Sequence, residues 1–177
     1  DNTETFVMFG GINPKNSKVS MGGVTEHETA GWLSRFVANE MRCVNIGPQR
    51  TDAPDCCDWL PARPGSDTAL MLALAYALQV EGLTNTDFLD RYTVGFDRFL
   101  PYLMGDSDGQ PKSPDWAAPI CGVVPEKIFE LARRMATTRT LITVAWSLQR
   151  AEHGEQPYWM SAVLAAMLGQ IGLPGCG

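Results

Sequence analysis

A chain of 177 residues with 45% hydrophobic content is long enough for one domain with a sizeable core and has the composition of an ordinary globular protein. Its formal net charge of −6, with Lys and Arg scattered, argues against the basic stripe that tracks nucleic-acid phosphates, so no nucleic-acid partner is expected. The longest apolar stretch, Tyr158 to Leu173, is too short and too interrupted by Gly and Gln for a membrane span, and reads as a packed helix.

Both termini read as cut. Asp1 to Glu4 run at once into a strand-like segment, and the chain stops in the Gly-rich Gly175-Cys176-Gly177, so a piece of a longer protein is expected. The cysteines, Cys43, Cys56, Cys57, Cys121 and Cys176, show no C-x-x-C spacing. Neither a zinc site nor a thioredoxin-type site is indicated, and they read as buried free thiols.

The first strand, Phe6 to Phe9, leads into Gly10-Gly11, a polar loop from Asn13 to Ser17 and a second Gly pair at Gly22-Gly23. Thr25 with Glu28 three residues on has the spacing of a capping box for a helix carrying Trp32, Leu33, Phe36 and Val37. Arg42 to Ile46 is a second strand, stopped by Gly47-Pro48 before a loop with Arg50 and Thr51. A third, Asp58 to Leu60, is short. Ser66 or Asp67 can then cap a helix from Thr68 to Glu81, with Leu70, Met71, Leu74 and Leu78 at helical spacing.

Short helical pieces follow at Asp87 to Tyr92 and Phe96 to Leu103, and Gly105 to Pro114 reads as a turn-rich loop. Pro125 opens a helix over Glu126 to Met135 with Ile128, Phe129, Leu131 and Ala132 inward. The β-branched run Thr140 to Ala145 is a buried strand, and Pro157 to Ile171 is the closing helix. Strands alternating with helices predict an α/β fold: a three-layer, mostly parallel, Rossmann-like sheet with helices on both faces and the strands from Phe6, Cys43 and Leu141 adjacent or nearly so.

Ligands of such sheets bind beyond the carboxyl ends of the strands. Three strand ends would deliver polar residues there: Lys15-Asn16 after the first, Pro48 to Thr51 after the second, and Trp146-Ser147 with Gln149-Arg150 after the last, joined by His153. Gly65-Ser66-Asp67 adds backbone N–H groups at a helix start, where a phosphate or a polar sugar is favoured. Together they read as a nucleotide cradle. Singly, Lys15 reads as a solvated lysine, Asp67 as a helix cap and Trp146 as core filling. No G-x-G-x-x-G and no P-loop is present, which disfavours a nicotinamide dehydrogenase.

The tract AWSLQRAEHGEQPYWM, followed by LAAMLGQIGLPG, resembles the molybdenum reductases for dimethyl sulfoxide, trimethylamine N-oxide and biotin sulfoxide. The likeness runs through Phe9-Gly10-Gly11, Lys15-Asn16, Gly65 to Leu72, Phe88-Leu89, Tyr92 to Phe96, Pro111-Lys112 and Gly169 to Gly175. It implies one α/β cofactor-binding domain, or part of one, over residues 1–177, holding part of a bis(molybdopterin guanine dinucleotide) molybdenum centre. Lys15, Asn16, Trp146, Ser147 and Arg150 would contact phosphate or pterin, with His153 at the cofactor margin. Ile46, Gly47, Gly65, Ser66 and Asp67 would face guanosine.

By the same resemblance, no catalytic residue and no metal ligand is expected here, and the isolated chain is expected to hold no cofactor and to be inactive. The implied partners are the remaining domains of a parent reductase and a small S-oxide or N-oxide, in the bacterial periplasm or cytoplasm. The chain departs from the family in two places: Gly47 stands where an acidic residue suited to a ribose hydroxyl is usual, and Cys176 interrupts a run of glycines. Gly47 keeps a rival open, a non-catalytic α/β interaction domain that has lost the cofactor.

Overall fold

In the computed structural model, which describes residues 2–13, 28–39 and 41–177, every side chain of the first strand, β1 (Thr5–Phe9), is buried. A strand covered on both faces must lie inside its sheet, and β1 does. It pairs in parallel with β2 (Arg42–Ile46) on one side and with β4 (Thr140–Val144) on the other. The short β3 (Asp58–Leu60) adds to β2, also in parallel, giving the order β3-β2-β1-β4. The chain thus winds outward from β1 in one direction and returns to its other side, so the β1/β4 boundary is the switch point of the sheet.

Alternation along the strands sorts the side chains onto two faces. Val7, Phe9, Val44 and Ile46 enter the larger core, while Phe6, Met8 and Cys43 join a smaller one with Phe36 and Met41. The smaller face is covered by α1 (Thr29–Ala38), in which Leu33 is buried. Thr25, the expected cap of this helix, lies outside the described residues.

On the other face, α2 (Asp67–Val80) occupies the centre of the helical layer. The expected inward residues Leu70, Met71, Leu74 and Leu78 are fully buried, but so are Ala73, Ala75 and Ala77, so α2 is enclosed on nearly every side. Each such large aliphatic side chain contributes about 1.5–3 kcal/mol on burial. Around it lie α3 (Thr86–Tyr92), α4 (Phe96–Met104), α5 (Pro114–Cys121), α6 (Pro125–Thr137) and α7 (Gln156–Leu168). The buried Leu103, Cys121, Ile128, Met135, Leu164 and Met167 of α4 to α7 join its core.

The loop expected over Gly105 to Pro114 is present, and at its end begins a helix that sequence reading did not foresee, α5: the Ser113 hydroxyl accepts from Trp116 N at 3.2 Å, Pro114 stands in the first turn, and Gly122 ends the helix in a left-handed conformation. One expectation needs correction. The cysteines are not all free and buried. Cys43 and Cys57 form a disulfide, Cys56 is exposed and Cys121 is buried. Register explains the pairing, because Val44 stands opposite Asp58 and their preceding residues, Cys43 and Cys57, therefore meet across β2 and β3. Among the described residues no helix is long and apolar enough to cross a membrane.

Candidate functional site: a cleft at the carboxyl ends of the strands

The four strands end at one level and are stitched together there. Gly10 N donates to Ile46 O at 2.8 Å, Ala145 N to Phe9 O at 2.7 Å, and Gly47 N to Leu60 O at 3.1 Å. Beyond that level opens a cleft of about 700 Å³, within the range of small-molecule sites. Its floor is Gly10 and Gly47, and one wall is the segment Ala62 to Thr68 that joins β3 to α2. The opposite wall is Ser147 to Pro157, a short 3-10 helix (Trp146–Arg150) and the turn into α7.

Gly10 is required by this arrangement. Its φ is +83°, and a Cβ there would stand 2.6 Å from Ala145 Cβ and 2.6 Å from Leu148 Cδ1. Any side chain would force β1 and the β4 turn apart. Gly47 is different: a Cβ at this position meets only Gly10, its Cα at 3.7 Å and its N at 4.0 Å, ordinary contacts.

Two helices point their amino termini at the cleft, α2 through Asp67 and Thr68 and α7 through Gln156 and Pro157. The aligned dipoles of both helices favour an anion between them, although the first N–H groups of α7 are spent within its own turn, Gln156 N on His153 O at 3.0 Å and Tyr158 N on Glu155 O at 3.2 Å. Of the two arginines in the lining, Arg63 is engaged by carbonyls at the end of α5, those of Pro119 and Ile120. Arg150 has no hydrogen-bond or ion-pair partner among the described residues, so its guanidinium is available to a ligand.

The acidic side is equally ordered. Asp52 O accepts from Ile12 N at 2.7 Å, and its carboxylate accepts from Asn13 Nδ2 at 2.7 Å, tying the loop after β1 to the loop after β2. Asp67 is buried at the start of α2. Burial pushes its carboxyl above the ordinary range, opposed by a hydrogen bond from its own backbone N–H.

Six of the residues expected from sequence line this cleft: Gly47, Gly65, Asp67, Ser147, Arg150 and His153. Three do not. Ile46 is wholly buried in the core and offers only its carbonyl, which Gly10 uses. Ser66 is buried with its hydroxyl donating to Arg63 O at 2.6 Å, so it holds the turn before α2 and does not cap the helix through its side chain. Trp146 is 57% exposed and is not part of the cleft lining. Lys15 and Asn16 lie outside the described residues. Sequence reading missed Asp52, Arg63, Thr68, Glu152 and Gln156 as lining residues. The signal for Arg63 was its place directly after a strand, but β3 is only three residues long and carried little weight.

A parallel α/β sheet with an anion-favouring cleft at its switch point is the frame of a nucleotide-type cofactor domain. The family description "Molybdopterin oxidoreductase" matches residues 1–177, and the chain belongs to that family. Membership implies a molybdenum–molybdopterin cofactor. Biotin sulfoxide reductase of Cereibacter sphaeroides is 43% identical over 179 residues, covering 100% of this chain and 24% of its own length. The dimethyl sulfoxide/trimethylamine N-oxide reductase of Rhodobacter capsulatus is 42% identical over 179 residues, covering 100% of this chain and 22% of its own. Trimethylamine-N-oxide reductase of Vibrio cholerae is 41% identical over 184 residues, with the same 100% and 22%. The chain therefore spans between 22% and 24% of the length of these relatives. Among solved structures, acetylene hydratase from Pelobacter acetylenicus shares the fold, with a TM-score of 0.74, 22% identity, and coverage of 97% of this chain and 22% of that one.

Proposed function

We propose that residues 1–177 form an α/β cofactor-binding domain, or part of one, in a molybdenum S-oxide or N-oxide reductase, and that the cleft receives one guanine dinucleotide arm of a bis(molybdopterin guanine dinucleotide) molybdenum centre. One observation carries the reading: the amino termini of α2 and α7 and Arg150, which has no side-chain partner among the described residues, face the same cleft as the buried carboxyl of Asp67. The residues present fit the group. The helix termini and Arg150 suit phosphates, and Asp67 suits the N–H donors of a guanine edge. When bound, the cofactor supplies the two-electron oxygen-atom transfer that turns an S-oxide or N-oxide into the sulfide or amine. The chain's own residues bind, orient and shield it.

The experiment uses the full-length protein. A charge-assisted hydrogen bond contributes about 1.5–3 kcal/mol, so Asp67→Ala and Arg150→Ala should each reduce retained molybdenum and released guanine nucleotide by roughly tenfold or more. Gly47→Asp is the complementary variant. The space at Gly47 tolerates a side chain, and a carboxylate there should strengthen retention if a ribose lies over it. Folded Asp67→Ala and Arg150→Ala proteins with full cofactor would reject the cleft as the binding site. The rival, an interaction domain without cofactor, predicts no molybdenum in the parent protein at all.

A further inference from the structure

At the opposite rim of the sheet, where the strands begin, the sulfurs of Cys43, Cys56 and Cys57 all lie within 4.8 Å of one another. Cys43 and Cys57 are joined as a disulfide, while Cys56 is a free, exposed thiol beside it. Cys43 and Cys56 border a surface depression of about 370 Å³ that Met41, Arg42, Asp58 and Arg134 also line. Nothing in the cofactor cleft touches this place, and the proposed cofactor role does not use it.

We propose that, once the disulfide is opened, Cys43, Cys56 and Cys57 form a three-thiolate site for a soft monovalent cation, copper(I), making this a redox-gated metal site. A metal–sulfur bond of about 2.3 Å implies sulfurs roughly 4 Å apart around one ion. Cys56 is already within reach of that spacing, and the other pair reaches it by separating when their bond breaks. Ligand type selects the ion. The cluster offers sulfur alone, with no His or carboxylate in it among the described residues, and thiolates favour copper(I), as does the thioether that Met41 places at the same depression. Structural zinc almost always takes four ligands; the cluster has three, and the nearby Asp58 carboxylate is engaged by Arg134 at 2.7 Å. Three thiolates on a monovalent cation leave two net negative charges, towards which Arg42 lies at the same depression, while Arg134 there is already paired with Asp58 and Glu130.

The gate is chemical. A dithiol reductant transfers two electrons and two protons to the Cys43–Cys57 bond and becomes a disulfide itself, leaving three thiols in the cluster. Binding one copper(I) then releases their three protons. In the oxidised state two of the three ligands are consumed, so the ion is not held.

The test takes the full-length protein, reduced anaerobically with dithiothreitol and freed of reductant, and titrates copper(I) in competition with bathocuproine disulfonate. Parallel samples are the reoxidised protein and a Cys56→Ser variant, whose exposed position leaves the fold intact. Native protein should gain two alkylatable thiols on reduction and hold one copper(I) at least about tenfold more tightly than either control. Equal copper binding by native and Cys56→Ser proteins would overturn the site. No gain of thiols on reduction, or equal binding by reduced and reoxidised protein, would overturn the gate, and preferential uptake of zinc under the same competition would overturn the assigned ion.

Discussion

Asp67 shows how one side chain can be set against the stability of its own fold. Its carboxyl is held above the ordinary range chiefly by burial, so the folded state binds a proton more tightly than the unfolded one. Stability from this group is complete below the unfolded-state value and is lost as pH rises through the folded-state value. Asp67→Asn removes the titration while keeping the shape. In protein stripped of cofactor at neutral pH, the variant should melt higher by roughly 2–4 °C, the shift that about 1 kcal/mol produces in a domain of this size. The difference should vanish on acidification, and a wild-type advantage at neutral pH would show that the backbone hydrogen bond outweighs desolvation. The residue scale is also where sequence reading was least able to see. The charge of Arg150 and the carboxyl of Asp67 were legible, but that Arg63 is occupied by carbonyls of α5 depends on a helix that was not foreseen. Cys43 and Cys57 meet only through strand register across a gap of 14 residues, a relation that spacing cannot reveal.

At the scale of elements, one amide bridges all three of α6, β4 and the turn after α7, beside the Thr140 hydroxyl that also donates to Met135 O at 3.0 Å. Gln170 is buried; its Oε1 accepts from Thr140 N at 2.7 Å, and its Nε2 donates to Thr138 O at 2.8 Å and Met135 O at 3.2 Å. These are backbone groups at the end of α6 and the start of β4, positions that the ladders of neither element satisfy. Gln170→Glu replaces the donor with an oxygen facing two carbonyls. It should cost about 2–4 kcal/mol, seen as a lower urea midpoint with an unchanged slope. A midpoint equal to wild type would mean that the joint is held by packing alone. The strands and the helices α2, α6 and α7 were readable because their apolar spacing agrees with their burial. The start of α5 was missed although Ser113-Pro114 is a standard helix opening, because Pro119 in its middle speaks against a helix.

For the whole molecule, size limits function. A cleft of about 700 Å³ accommodates one small-molecule-sized ligand, whereas the proposed centre has two dinucleotide arms. The isolated chain should therefore retain no molybdenum and should reduce none of dimethyl sulfoxide, trimethylamine N-oxide or biotin sulfoxide with a reduced viologen as donor. Turnover above background by the purified chain would show that the chemistry resides within these residues. The parallel order and the position of the crevice were legible from the alternation of strands and helices. The crevice wall from Ser147 to Pro157 was legible only as a polar cluster, because its 3-10 turn carries no periodic signal over so few residues.

The bond between Gly177 and β4 bears on how these molecules meet one another. Gly177 N donates to Thr140 O at 3.0 Å and its carbonyl accepts from Ile142 N at 2.7 Å, so the outer backbone groups in the first half of this lateral strand are already spent. At the other flank β3 is three residues long, its Asp58 is paired with Arg134 at 2.7 Å, and Trp59 Nε1 is turned back onto Gly47 O at 2.9 Å. A sheet invites aggregation through long, flat, unsatisfied margins, and here one margin is occupied while the other is short and charged. Among the described residues, crowded copies of this fold meet only short or partly occupied margins on which to stack strand against strand.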